Sequence, residues 1–186
     1  RSHMRIPDNQ IDLLEALVKV NENIVGILSG GAAIEMPWNH CCKAILHGYL
    51  SGQAGAGAML DILTGKVNPS GKLSETYPLE YEDTPAYLNF PSKERNAEYR
   101  EGIYVGYRYY ETSKVKVEYP FGYGLSYTSF SYSDLKVEKG GVTFTLTNTG
   151  TYDGAEVVQM YISLPEAEVF RPLKELKGFQ KVFLKA

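Results

Sequence analysis

Apolar residues at the start of the chain follow helical spacing, then strand spacing, and then repeat that exchange. Ile11, Leu13, Leu14, Leu17 and Val18 make a broad helical face, and Asp8 beside Pro7 stands where a cap is wanted, which predicts a helix of about three turns. Residues 24–28 are a continuous apolar run, the pattern of a strand buried on both faces of a parallel sheet, and Gly30 and Gly31 end it. Extended structure is expected again over 33–36, a second helical stretch around 41–44 after Pro37 and Trp38, and a strand over 44–50. Residues 48–78 read as a loop, a helix, a turn and a strand. Ala58, Leu60, Ile62 and Leu63 form its apolar helical face, Gly65 follows the helix end, Asn68, Pro69, Ser70 and Gly71 make a turn, and 72–77 run extended until Pro78. Helix and strand in alternation are the order of a doubly wound α/β layer.

The pattern breaks over 79–98, where EYEDTP and FPSKERN predict a long surface loop. Residues 102–110, GIYVGYRYY, alternate well enough for a strand or β-like arm. Residues 119–130 place Pro120, Gly122 and Gly124 among aromatics and read as a tight connector. Beyond 131 the chain becomes all-β, with strands predicted over 132–137, 142–148, 157–163 and 179–184 between KGG and NTGTYDG turns. An immunoglobulin-like sandwich needs about seven strands, so these make a partial one. The expected division is 1–118, a linker over 119–131, and an incomplete second domain over 132–186.

Composition narrows the classes. Hydrophobic residues at 44% and charged residues at 22% are near the globular average and argue against disorder. A net charge of -3 offers no basic footprint for nucleic acid or membrane, and no apolar run reaches the length of a membrane span. No charged-then-apolar leader opens the chain, which says little if it is a piece of a longer one, so no compartment is assigned. Cys41 and Cys42 are adjacent and suit no intramolecular bridge, and His3, His40 and His47 form no recognisable metal set, so no metal is expected. Fifteen tyrosines are the oddity, suiting strands, interfaces and sugar-stacking surfaces alike. Gly52, Gly55 and Gly57 invite a nucleotide-binding reading, but Leu60 holds the place of the third fingerprint glycine, and close packing of helix on strand explains them.

The segment GYLSGQAGAGAMLDILTGKVNPSGKLSETYP (48–78) closely resembles one in family 3 glycoside hydrolases, with Ser51 in place of the usual proline and Ala54 and Ala56 loosening the glycine run. IVGILSGGAAIEMPW (24–38), EGIYVGYRYYE (101–111) and YPFGYGLSYTSF (119–130) agree in order, and ELKGFQKVFL (175–184) resembles a strand pair of the fibronectin type III-like domain found in many such enzymes. RSHMRIPDNQ (1–10) fits the continuation of an acidic loop ending in Asp-Arg, although residues 1–4 also match a tag remnant. The resemblance implies a three-layer α/β/α sandwich with a mostly parallel sheet, then a partial immunoglobulin or fibronectin type III-like sandwich. It implies the C-terminal part of a retaining β-glycosidase of the β-glucosidase type, acting on terminal β-linked sugars without a cofactor. Its partners would be an N-terminal barrel domain of the same enzyme and the carbohydrate, and a homo-oligomer is compatible with it. A β-xylosidase or arabinofuranosidase of the same family, and a non-catalytic carbohydrate-binding or interaction module, are the alternatives.

Retaining hydrolysis needs a nucleophilic carboxylate and a carboxylic acid facing one bond. The resemblance puts the nucleophilic Asp in the barrel and the acid/base Glu in the loop before Arg1, so no catalytic residue is expected in this chain. Glu35, Glu94, Glu98 and Glu101 are the acidic residues to weigh against that, while Asp61 and Glu75 read as solvent-facing or capping. Trp38, Tyr99, Tyr104, Tyr107, Tyr109 and Tyr110 offer flat faces for sugars, and Arg95, Arg100 and Arg108 offer donors to hydroxyls. Aromatic packing between domains explains the same residues and is favoured; if sugar is touched, the loop over 79–100 is the first candidate.

Overall fold

The computed structural model describes residues 3–93 and 95–186. Helix α1 (Asp8–Val18) forms as its apolar spacing predicts, with one correction: Pro7 holds the cap position and Asp8 is the first helical residue. An acidic side chain in the first turn is favoured there by the helix dipole. Ile11 and Leu14 pack with Met4 and Ile6 against a core of Ala33, Met36, Trp38 and Tyr77. Leu13 and Leu17, on the rest of the apolar face, stay exposed.

Strands β1 (Val25–Leu28) and β2 (Ala44–His47) pair in parallel, Val25 opposite Ala44 and Leu28 opposite His47. The ladder extends at both ends through Lys43 N to Ile24 O at 2.8 Å and Gly48 N to Leu28 O at 2.9 Å. The run over 24–28 is expected to be buried on both faces, yet Val25 and Ile27 are 52% and 53% exposed, so these residues cover only one face of the sheet. Residues 33–36 form no strand among the described residues and instead descend into the core. The helical stretch expected around 41–44 shrinks to a single 3-10 turn, Asn39–Cys41, because Ala44 already belongs to β2.

Helix α2 (Gly55–Leu63) follows, and Gly65 beyond its end takes a left-handed φ of 73°. The strand expected over 72–77 is reduced to β3 (Tyr77–Pro78), which pairs antiparallel with β4 (Val117–Tyr119). The cause is local: Leu73 N donates to Tyr123 O at 2.7 Å and Gly122 N donates to Leu73 O at 2.8 Å, so this backbone is already used by the connector. The arm expected over 102–110 is corrected to helix α3 (Tyr107–Thr112). In a run of tyrosines the two-residue and three-residue spacings coincide, and burial of Tyr110 decides for the helix.

The second part is two antiparallel pairs. Strand β5 (Phe130–Glu138) pairs with β6 (Gly141–Asn148) across a bulge between Ser133 and Lys136, and β7 (Gly154–Ile162) pairs with β8 (Glu175–Leu184) across one between Met160 and Tyr161. These strands contain the stretches the alternation predicted except Ser163, which lies just past the end of β7, and the pairs form separate two-stranded sheets among the described residues. The result is a partial α/β layer, then a partial β-sandwich.

Candidate functional site

Two places gather polar side chains: the joint between the α/β part and the β pairs, and a cleft at the start of α1. At the joint, Asn68 of the predicted turn acts as a clip. Its Nδ2 donates to Asp153 O at 3.0 Å, and its Oδ1 accepts from Ser126 Oγ at 2.9 Å and Tyr127 N at 2.8 Å. Gly154 has to be glycine beside it, since a Cβ there would lie 2.8 Å from Asn68 Nδ2. Four residues on, Lys72 Nζ donates to Gly124 O at 2.8 Å and pairs with Glu156 at 3.1 Å. That pair is mostly out of water, with side chains 16% and 14% exposed.

Tyrosines fill the remainder. Tyr107 stacks on Phe121 with centroids 5.0 Å apart, meets Tyr161 edge-on at 5.7 Å, and its hydroxyl accepts from Leu176 N at 2.7 Å. Tyr104 stacks on Phe170 at 5.4 Å and donates to its carbonyl at 3.1 Å. Tyr127 donates to Ile62 O, near the end of α2, at 2.7 Å. Lys174 pairs with Glu111 at 2.9 Å and lies 4.6 Å over the Tyr161 ring. Burial pushes the Tyr161 phenol up, and pushes that of Tyr110 up to about 12.

The cleft holds about 410 Å³ and is lined by His3, Arg5, Ile6, Pro7, Asp8, Glu35, Tyr81 and Glu82. Glu35 is buried, and both of its oxygens are engaged: Oε2 accepts from Arg5 Nε at 3.1 Å and Oε1 from Tyr81 N at 3.1 Å. Asp8 and Glu82 stand exposed on the same rim.

The other sequence-selected residues scatter. Trp38 is 4% exposed and packs inside the core, where no sugar can stack on it. Tyr109 meets Tyr110 edge-on at 5.2 Å, and Tyr99 stands 82% exposed. Arg95 is exposed, Arg100 pairs with Glu98 at 2.5 Å, and Arg108 Nε is buried with no hydrogen-bond partner among the described residues. Asp61 pairs with Lys66 at 2.9 Å, while Glu75 and Glu101 are half-buried. Arg1 and Glu94 lie outside the described residues. His40 Nδ1 lies 2.9 Å from Pro37 O, His47 Nδ1 lies 3.2 Å from Leu28 O, and His3 Nδ1 accepts from Arg5 N at 3.2 Å. Sequence reasoning reads Asn68 only as a turn residue and passes over Lys72 and Glu156, whose partners are far away in the chain.

An α/β layer locked through a tyrosine-lined joint to part of a β-sandwich defines a two-domain C-terminal module. Residues 1–127 match the glycosyl hydrolase family 3 C-terminal domain, and residues 156–186 match a fibronectin type III-like domain. The chain belongs to the glycosyl hydrolase family 3 C-terminal domain family. It is 49% identical to thermostable beta-glucosidase B of Acetivibrio thermocellus, over 99% of this chain and 25% of that protein. It is 46% identical to an exo-alpha-(1->6)-L-arabinopyranosidase of Bifidobacterium longum, over 100% of this chain and 25% of the relative. The crystal structure of a Bifidobacterium adolescentis GH3 beta-glucosidase superposes with a TM-score of 0.97 at 47% identity, covering 100% of this chain and 28% of that one. A Kluyveromyces marxianus beta-glucosidase in complex with glucose superposes with a TM-score of 0.93 at 42% identity, over 100% of this chain and 23% of that one. The chain spans about a quarter of the length of these relatives.

Proposed function

We propose that this chain is the C-terminal part of a retaining β-glycosidase of the β-glucosidase type, which removes terminal β-linked sugars without metal or organic cofactor. The observation that carries the reading is the likeness, along essentially the whole chain, to proteins named as beta-glucosidases. The catalytic Asp and Glu lie upstream, in a barrel domain and in the loop before Arg1. The state of Glu35 supports this, because each of its oxygens already accepts a hydrogen bond, from Arg5 Nε and from Tyr81 N, as in a carboxylate that ties chain segments together. On this reading residues 1–118 are part of the α/β domain, 119–131 link it to the next, and 132–186 are the N-terminal strands of an incomplete fibronectin type III-like domain. The relative named as an arabinopyranosidase, at 46% identity, favours a second reading in which the same scaffold serves a different terminal sugar.

The test compares the isolated chain with the full-length polypeptide on an aryl β-glucoside, following the anomer first released by NMR. The full-length protein is expected to release the β-anomer and the isolated chain nothing. Cleavage by the purified chain, once contaminating host enzyme is controlled for, overturns the upstream placement. Release of L-arabinose from an aryl arabinopyranoside, without glucose from the glucoside, selects the second reading.

A further inference from the structure

We propose that Glu35 is a positioning residue for the loop that carries the general acid. The inference rests on the reading that this acid precedes Arg1. On that reading the loop leads into this domain through residues 4–6, and those residues are tied down in three ways. Glu35 N donates to Met4 O at 2.9 Å, Arg5 Nε donates to Glu35 Oε2 at 3.1 Å, and Met4 and Ile6 pack against the core cluster. The second carboxylate oxygen accepts from Tyr81 N at 3.1 Å, so one buried side chain holds the incoming segment and the loop following Pro78 in a fixed relation. Charge-assisted hydrogen bonds of this kind are shorter and stronger than neutral ones. With a side chain 8% exposed, Glu35 meets little competition from water. Arg5 is the weak side of the arrangement, its own side chain being 67% exposed.

A general acid contributes only when its proton reaches the departing oxygen, and a loop displaced at its root loses that reach before it loses sugar affinity. The expected signature therefore depends on the leaving group. In the full-length polypeptide, Glu35→Gln keeps the side chain's shape and an acceptor for Tyr81 N but gives up the charge toward Arg5. Its kcat/KM on an alkyl β-glucoside, whose leaving group needs protonation, should fall by about tenfold or more. On 2,4-dinitrophenyl β-glucoside, which needs none, the fall should stay within about threefold. Arg5→Gln, altering the exposed partner and sparing the Tyr81 bond, should give the same split and serves if Glu35→Gln fails to fold. Equal losses on both substrates, or none on either, overturn the proposal. Glu→Gln at the acid before Arg1 is the control. If it shows the split and neither Glu35→Gln nor Arg5→Gln does, positioning by Glu35 is wrong; if it shows no split, the upstream-acid reading falls and takes the inference with it.

Discussion

Replacing Asn68 should loosen the joint by an amount that its three hydrogen bonds allow to be worked out. Asn68→Ala removes a donor to Asp153 O and an acceptor shared by Ser126 Oγ and Tyr127 N. Each bond of this kind contributes roughly 0.5–1.5 kcal/mol net, so full loss spans about 1.5–4.5 kcal/mol. The side chain is only half-buried and water can replace part of what is lost, which places the expected value near the lower end, at about 2 kcal/mol. Hydrogen exchange of the full-length polypeptide, followed at the Tyr127 amide, reads this directly. Opening made easier by about 2 kcal/mol should speed that exchange about 30-fold, with amides of β1 and β2 unaffected. Ser126→Ala removes the bond from Ser126 Oγ and leaves the other two, so its acceleration should be intermediate, about fivefold for roughly 1 kcal/mol. Acceleration below about twofold in Asn68→Ala, or equal effects of the two variants, would refute the clip.

Three other outcomes follow from the same geometry. Lys72→Met strands the Glu156 carboxylate with the Tyr132 hydroxyl 3.3 Å away, and should destabilise by about 2–3 kcal/mol, while Lys72→Met with Glu156→Leu should be at least about 1 kcal/mol milder than the summed single changes; strict additivity in thermal unfolding opposes it. The Asp153 carboxyl is held below its ordinary value, first by the hydrogen bond from Lys185 at 2.6 Å and then by the Ala186 amide at 2.9 Å. Its folded pKa lies below its unfolded one, so the stability it adds is present above the ordinary carboxylate value and lost as pH falls through the lowered one. Asp153→Asn should thus lower the melting temperature at pH 7 and converge with the unsubstituted protein in acid; an equal gap at both ends contradicts this. The isolated chain should self-associate through Val25, Ile27 and the unpaired strand edges, and a monodisperse monomer in sedimentation velocity would count against it.

Helix α1, strands β1 and β2, helix α2 and the four late strands are legible because each depends on local spacing and turn residues. The failures share a cause. Residues 72–77 have the composition of a strand, but the partner that captures Leu73 is Tyr123 in the connector, and no local rule names it. The burial expected on both faces of β1 is not met, because nothing among the described residues covers Val25 and Ile27. The joint is less visible still. Asn68 reaches partners 58, 59 and 85 positions away, and spacing along one chain does not show such pairings. The glutamates show the opposite error: Glu35, Glu98 and Glu101 invite grouping by type, while the structure pairs Glu35 with Arg5 and Glu98 with Arg100.

The tyrosine excess illustrates how composition underdetermines function until geometry assigns it. Tyr104, Tyr107 and Tyr127 behave alike: each places its hydroxyl on a main-chain group remote in sequence, Phe170 O, Leu176 N and Ile62 O respectively. Phenylalanine could fill the same space but would leave those groups without these partners, and a shorter hydroxyl side chain would lack the ring. The phenol supplies both at the cost of two side-chain torsions. Tyr104 and Tyr107 therefore fix the α/β part on the β pairs, and Tyr127 fixes the connector on the end of α2. A fixed joint also has a consequence for the cleft at α1. The core cluster against which Met4 and Ile6 pack includes Tyr77, Leu73 packs on the same cluster, and Leu73 is hydrogen-bonded to the connector that leads into β5. The incoming segment at Arg5 and the β pairs are thus referenced to the same packed residues, and the sandwich supports the geometry at residues 4–6 without approaching the cleft.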